Sequence, residues 1–274
     1  MLHCFAPKKE YLSKMKNNEK IQVVVNEKKC TGCGLCKKDC VAFDIDIVDG
    51  KAVTRGNGCI KCGHCEAICP KKAISLTGFD DKIKEYKEQV RLDPKQLLDV
   101  IKTRRSIRNF TEKKIPQNVL DMIFEAGRLA PTGSNAQGTS YILLRDKKDE
   151  CEKVAVSIFG GLINFGKKFI PQLKSMNIDE KFFFKGAPVA IVVLGDDEVS
   201  ASLAAENMAF MAEANGLGVL FSGFFTMVYN MSRKIRNIIG TKKDPKAVTT
   251  LVIGYSAVKY QRSIHRKPLN LVEA

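Results

Sequence analysis

Cys30-Thr31-Gly32-Cys33-Gly34-Leu35-Cys36-Lys37-Lys38-Asp39-Cys40 and Cys59-Ile60-Lys61-Cys62-Gly63-His64-Cys65-Glu66-Ala67-Ile68-Cys69-Pro70 decide the reading of the first third of this chain. Both follow C-x2-C-x2-C-x3-C, offset by 29 residues from Cys30 to Cys59. Gly34 matches Gly63 and Ile45 matches Ile74, so residues 29–77 form an internal duplication. Two-residue gaps let three thiolates of one loop reach three irons of a single cubane. The spacing predicts that the fourth cysteine opens a helix carrying it toward the other cluster. One [4Fe-4S] cluster then takes Cys30, Cys33, Cys36 and Cys69, and a second takes Cys59, Cys62, Cys65 and Cys40. Gly34 and Gly63 let the backbone wrap closely and turn N–H groups toward sulfur. Structural zinc usually takes two separated pairs of ligands, and cysteines crowded at this spacing suit it poorly. His64 lies between two ligands and reads as a surface or supporting residue.

Around this block the chain is ordinary. Of 274 residues, 45% are hydrophobic and 27% charged, enough for a buried core without covalent staples. No apolar run reaches the ~18 residues of a membrane span. The first residues hold no apolar stretch of a secretory signal. A cytoplasmic, reducing setting is therefore expected, and structural disulfides are not. Of the ten cysteines, only Cys4 and Cys151 lie outside the block, and both read as ordinary thiols. The net charge of +15 raises nucleic-acid binding as a competing reading. The basic residues are dispersed, with no basic arm and no interleaved aromatics, so neither nucleic acid nor membrane is expected as a partner.

Past residue 90 the composition changes. Residues 22–78 read as one domain and 93–270 as another, joined by a polar, charge-mixed linker. Asp93-Pro94 predicts a capped helix start, with Leu97, Leu98 and Ile101 on an apolar face. Pro116 opens a helix whose Val119, Leu120, Ile123, Phe124 and Gly127 repeat at three and four residues. Residues 141–144 and 189–194 predict strands, 217–225 another, and 248–253 the last. Residues 199–214 predict an Ala- and Met-rich helix, buried centrally or at a subunit interface. Ser232 predicts a helix cap. Mixed helices and strands make the fold class α+β, with a central mixed sheet flanked by helices.

Three segments of the second domain carry chemical potential. Arg104, Arg105, Ser106 and Arg108 offer forked donors and a hydroxyl to phosphate oxygens. Pro131-Thr132-Gly133-Ser134-Asn135-Ala136-Gln137 offers amides to the edge of a planar heterocycle. Arg262, His265, Arg266 and Lys267 form a basic segment after the last strand.

Residues 22–77 resemble bacterial-type ferredoxin domains, departing at Val41, where that family often has proline. Residues 93–270 resemble the nitroreductase family of flavin mononucleotide (FMN) enzymes. The arginine–serine run matches that family's R-x-S-x-[RK] element, which implies that Arg104, Arg105, Ser106 and Arg108 hold flavin phosphate and ribityl groups. Pro131, Thr132, Gly133, Asn135 and Gln137 are similar to a loop that lies against the flavin from the partner subunit. Gly138-Thr139 replaces that loop's Pro-Trp. Ser222 and Gly223 fall where backbone N–H groups approach flavin, and Arg266 and Lys267 match basic residues closing on phosphate. Asn207–Gly218 looks like the central dimer helix and its exit, with the Met- and Ala-rich face of 203–214 as dimer core. The resemblance implies a homodimer with FMN at the subunit interface. It implies an oxidoreductase reducing an electrophilic acceptor (nitroaromatic, quinone or similar) with electrons from reduced ferredoxin or NAD(P)H. The competing reading is an electron-transfer or redox-sensing protein without small-molecule turnover. No nucleophile or Ser–His–Asp set is apparent among three histidines.

Overall fold

The structure, a computed structural model, describes residues 21–241 and 246–273 apart from Asn57, Asp80, Lys82, Lys87 and Gln89. Cys4 lies outside the described residues. The chain divides into two compact units. One runs to Val90 and takes in Ser134–Ala136; the other holds Arg91–Gly133 and the chain from Gln137 onward.

The first unit is built twice over. Strand β1 (Gln22–Val25) pairs antiparallel with β4 (Ile74–Thr77), and β2 (Ile45–Val48) with β3 (Lys51–Thr54). Asp49 and Gly50 turn the second hairpin with φ of 49° and 69°, the left-handed pair that a two-residue hairpin turn requires. Helix α1 (Leu35–Asp39) and helix α2 (His64–Ala67) each follow a glycine at φ 77°, a conformation that costs other residues energy. Here the structure corrects the sequence reading. Cys40 is the C-cap of α1, and Cys69 follows the C-cap of α2, Ile68. The helix therefore precedes the fourth cysteine and delivers it, because the left-handed glycine starts the turn one residue before the motif's middle. Ile45, Ala52, Ile74 and Cys36 fill the small core between the two repeats.

The second unit has a four-stranded sheet in the order β5 (Ser140–Leu144), β6 (Val189–Leu194), β8 (Ala247–Gly254), β7 (Gly218–Phe221). These pairings are all antiparallel, and parallel geometry enters through the bridge from Ser106 to Val219. Strand β6 is buried along its whole length. Val189, Ile191 and Val193 enter one core, while Ala190, Val192 and Leu194 enter the other, as the two-residue period of a strand requires. One face carries helix α4 (Gln117–Arg128) and helix α6 (Glu198–Ala214), from which Leu120, Ile123, Ala205, Met208 and Ala209 enter the core. At Gly127 a β-carbon would stand 2.8 Å from Met208 Cγ and Sδ and from Tyr141 Oη, so only glycine lets α4 come this close. The other face carries helix α5 (Lys148–Gly166), helix α7 (Gly223–Met231) and helix α8 (Arg233–Ile239), with Phe159, Phe183, Phe184 and Phe225 in mutual contact.

Local signals explain the helix ends. Asp93 Oδ1 accepts from Gln96 N at 2.6 Å and Pro94 opens helix α3 (Pro94–Thr103). Ser232 Oγ caps α8 through Ile235 N at 3.2 Å. Two expectations change. The strand expected over 217–225 ends at Phe221, and residues from Gly223 turn into α7: Ser222 makes a last cross-strand bond, its N–H to the Thr250 carbonyl, while its own carbonyl already accepts from Thr226 N as the N-cap of the helix. Leu97, Leu98 and Ile101 of α3 are exposed. Ala204, Ala205, Met208, Ala209 and Ala212, on the helix read as buried centrally or at a subunit interface, are buried within this chain; the exposed residues of that helix include Val199 and Leu203.

Candidate cluster nests and flavin segments

The duplication places two recesses in the first unit. Cys30, Cys33, Cys36 and Cys69 line one, with about 350 Å³ of empty space. Cys40, Cys59, Cys62 and Cys65 line the other, with about 400 Å³. Each fourth cysteine thus faces the three cysteines of the opposite repeat. Backbone N–H groups are aimed at sulfur in both: Ala52 to Cys30 (3.3 Å) and Ala73 to Cys69 (3.2 Å) in the first, Lys61 to Cys59 and Asp44 to Cys40 (both 3.4 Å) in the second. Such donors stabilise thiolate over thiol. They hold the Cys30 thiol below its ordinary value, the Ala52 N–H contributing most. Burial pushes Cys36 up, and pushes Cys65 up to about 11. Those protons are the ones a bound metal must displace.

Among the described residues no three His, Cys, Asp or Glu side chains approach closely enough to share one ion. Open four-sulfur recesses with N–H donors at the rim fit a cubane, whose edges separate the thiolates. His64 is exposed, its Nδ1 3.2 Å from Asp39 Oδ2. Val41 is exposed and lines the recess of Cys40, Cys59, Cys62 and Cys65. Cys151 is fully buried in the second unit, and burial pushes its thiol up to about 11, the state of an inert thiol.

In the second unit the arginine run follows α3. Arg104 forks onto both carboxylate oxygens of Glu206 and stacks on Phe210 at 4.4 Å. Its side chain is 18% exposed, so two of its five donors are already engaged. Arg105 stacks on Tyr260 at 4.5 Å and donates to the Arg262 carbonyl, which ties the run to the C-terminal basic segment. Ser106 sits on the β7 edge through its bridge to Val219. Arg108 is exposed, as are His265, Arg266 and Lys267. The two basic segments named from sequence therefore meet at Arg105, and their free guanidinium and ammonium donors suit a phosphate monoester.

The amide-rich segment divides. Thr132 Oγ1 accepts from Gln137 N at 3.0 Å, and Gly133 N donates to Ser200 Oγ at 3.3 Å. Pro131 follows the end of α4. Ser134, Asn135 and Gln137 take left-handed φ of 50°, 55° and 49°. Asn135 belongs to the first unit, and its Nδ2 donates to the carbonyls of Ile60 (3.1 Å) and Lys61 (3.0 Å). Ser222 N–H goes to the Thr250 carbonyl at 2.8 Å, and its Oγ donates to the Phe183 carbonyl at 3.1 Å, so neither points to a ligand; Gly223 begins α7.

Sequence reasoning missed Glu206 and Phe210, since a contact 102 positions from Arg104 leaves no local trace. It also missed Asp44 and Lys51 at the nests, although laying one repeat over the other would have shown both.

The nitroreductase family model matches residues 101–255. The chain belongs to the nitroreductase family. A 4Fe-4S dicluster domain model matches residues 22–70. A Methanothermobacter thermautotrophicus protein, provisionally described as NADH dehydrogenase/NAD(P)H nitroreductase, is 26% identical over 174 residues, covering 59% of this chain and 78% of its own. The iodotyrosine deiodinase of Hydra vulgaris is 24% identical over 188 residues, covering 61% and 68%. The fold is that of an FMN-dependent nitroreductase from Clostridium difficile, with a TM-score of 0.51 at 18% identity, covering 66% of this chain and all 100% of that one. This nitroreductase-family chain is an FMN-dependent oxidoreductase with an iron-sulfur domain at its N-terminal side. Among the described residues no helix is long and apolar enough to cross a membrane.

Proposed function

We propose that this oxidoreductase carries two [4Fe-4S] clusters, held by Cys30, Cys33, Cys36 and Cys69 and by Cys40, Cys59, Cys62 and Cys65. It would reduce an electrophilic organic acceptor with electrons from reduced ferredoxin or NAD(P)H. The observation that carries the reading is the crossed pairing of each fourth cysteine with the opposite loop, on the same chain as a flavin domain. Bound FMN exchanges one or two electrons and clusters exchange one, so together these groups join single-electron carriers to two-electron organic chemistry.

The chain's own part is placement and charge. Arg105, Ser106, Arg108, Arg266 and Lys267 would hold the flavin phosphate, with Arg104 contributing the donors that Glu206 leaves free. Thr132, Gly133 and Gln137, with Pro131 and Asn135, would flank the ring from the partner subunit of a homodimer, and Gly223 would supply a backbone N–H. With Ser222 N–H engaged by Thr250, its role narrows to fixing the start of α7. Gly138 and Thr139 leave the acceptor side open. A nitroaromatic or quinone fits such a site, and the deiodinase relatives add an aryl halide to the acceptors worth assaying.

The test is anaerobic purification with iron, sulfide and flavin counted. Stopped-flow reduction by NADH, NADPH and reduced ferredoxin follows, then steady-state turnover of a nitroaromatic, a quinone and iodotyrosine. About eight irons and one FMN per chain are expected. A metal-free or zinc-containing protein overturns the cluster reading. Bleaching without turnover of any acceptor leaves the electron-transfer reading in its place.

A further inference from the structure

The two nests come from one repeat, so position-by-position comparison isolates what distinguishes them. At the offset of 29 residues, Asp44 corresponds to Ala73 and Lys51 to Gln22. The first pair is structurally equivalent: each residue is buried (4% and 3% exposed) and each donates its backbone N–H to a fourth cysteine, Cys40 or Cys69. A carboxylate lines the nest of Cys40, Cys59, Cys62 and Cys65 where a methyl group lines the other. The second pair acts in the same electrical direction. Lys51 Nζ donates to the Cys30 carbonyl at 2.6 Å, and its neighbour Ala52 donates to Cys30 Sγ. On the equivalent strand beside the other nest stands uncharged Gln22.

We propose that Asp44 and Lys51 separate the two clusters in potential. The centre held by Cys30, Cys33, Cys36 and Cys69 takes the first electron, and the centre held by Cys40, Cys59, Cys62 and Cys65 is the stronger reductant. The proposal rests on the two-cluster reading. Each reduction adds one electron, hence one negative charge, to a nest. A buried carboxylate opposes that charge and a nearby, half-buried ammonium favours it, and the burial of Asp44 weakens its screening. At the same offset Lys37, beside Cys36, corresponds to Glu66, beside Cys65; Lys37 is paired with Asp46 and Glu66 accepts from Leu76 N, and their signs act in the same direction. Lys71 lines the Cys30 nest and adds to the same asymmetry, but is exposed. At the other nest, Lys61 opposes it from outside the recess. Arg55 is exposed and tied first to Asp46, and only more weakly drawn by Asp44. His64 is paired with Asp39 across the surface.

The test is an EPR-monitored potentiometric titration with dithionite on the anaerobically purified full chain, its iron and sulfide counted first. Wild type should show two one-electron steps. Asp44→Asn should raise the lower midpoint by a tenfold shift in the reduction equilibrium, ~59 mV for one electron, and leave the upper in place. Lys51→Gln should lower the upper midpoint and leave the lower. Coincident midpoints in wild type, or variants with full metal content whose midpoints do not move or move at the wrong step, overturn this inference alone. Should Asp44→Asn lose a cluster, Lys51→Gln decides, an unmoved upper midpoint refuting the proposal. Wild type with fewer than about eight irons per chain, or with zinc, overturns the two-cluster reading and this inference with it.

Discussion

Glu152 is the group in the second unit whose removal has the most calculable outcome. It is 4% exposed on α5, and one carboxylate oxygen accepts from Phe183 N at 2.9 Å and Phe184 N at 2.7 Å. The Phe183 carbonyl in turn accepts from Ser222 Oγ, so the carboxylate holds the segment that fixes the start of α7. Glu152→Ala strands two N–H groups in the core, each worth about 1–3 kcal/mol, for a loss of about 4 kcal/mol. In a domain of this size that lowers Tm by roughly 8–16 °C. Glu152→Gln keeps an acceptor oxygen and should stay within about 1 kcal/mol of wild type at neutral pH. Burial is the largest influence on the carboxyl and raises it above its ordinary 4.5, outweighing the Phe184 and Phe183 N–H groups and Lys148. The native state then binds this proton more tightly than the unfolded chain. The group's contribution is fully present below pH 4.5 and is lost as pH rises through the folded value. Calorimetric melts from pH 8 to pH 5 should show wild type gaining on Glu152→Gln as the pH falls. An alanine variant as stable as wild type, or a glutamine variant as damaged as alanine, refutes the reasoning.

Three further outcomes follow from the geometry. Cys33→Ser and Cys69→Ser should each cut iron from about eight to about four per chain, and the double variant no further, because both cysteines line one recess; metal analysis showing additive loss would separate them. Arg108→Ala removes a charged donor worth about 1.5–3 kcal/mol, so flavin fluorescence titration should read FMN binding roughly tenfold to a hundredfold weaker, and unchanged binding would take Arg108 out of the phosphate site. Gly127→Ala should destabilise by about 1–3 kcal/mol despite alanine's better helix propensity, because the new methyl meets Met208 and Tyr141 at 2.8 Å; a thermal melt with no loss would mean that α4 shifts freely.

The cysteine block was legible because ligand spacing is a local property. Two-residue gaps and left-handed glycines specify the loops without help from the rest of the chain. Helix caps at Asp93 and Ser232 and the apolar run 189–194 were legible for the same reason. The strand over 217–225 was misjudged because Phe224, Phe225 and Val228 carry an apolar pattern compatible with strand or helix, and the turn into helix begins at Ser222, whose carbonyl accepts from Thr226 N. The alanine face of α6 was equally ambiguous: small residues admit a close neighbour from either the same chain or another, and α4 with its Gly127 takes that place. Arg104 illustrates the remaining gap. Its charge was plain, but the carboxylate that holds it comes from a distant helix.

Strand β6 serves two interiors with alternate residues of one short run. Adding or deleting a single residue in the approach through Ala187 and Pro188 would exchange the two sets, sending Ala190 and Val192 to the helices that fit Ile191 and Val193. Length change on this approach would therefore be survivable in steps of two, and a library of insertions there should recover even numbers far more often than odd.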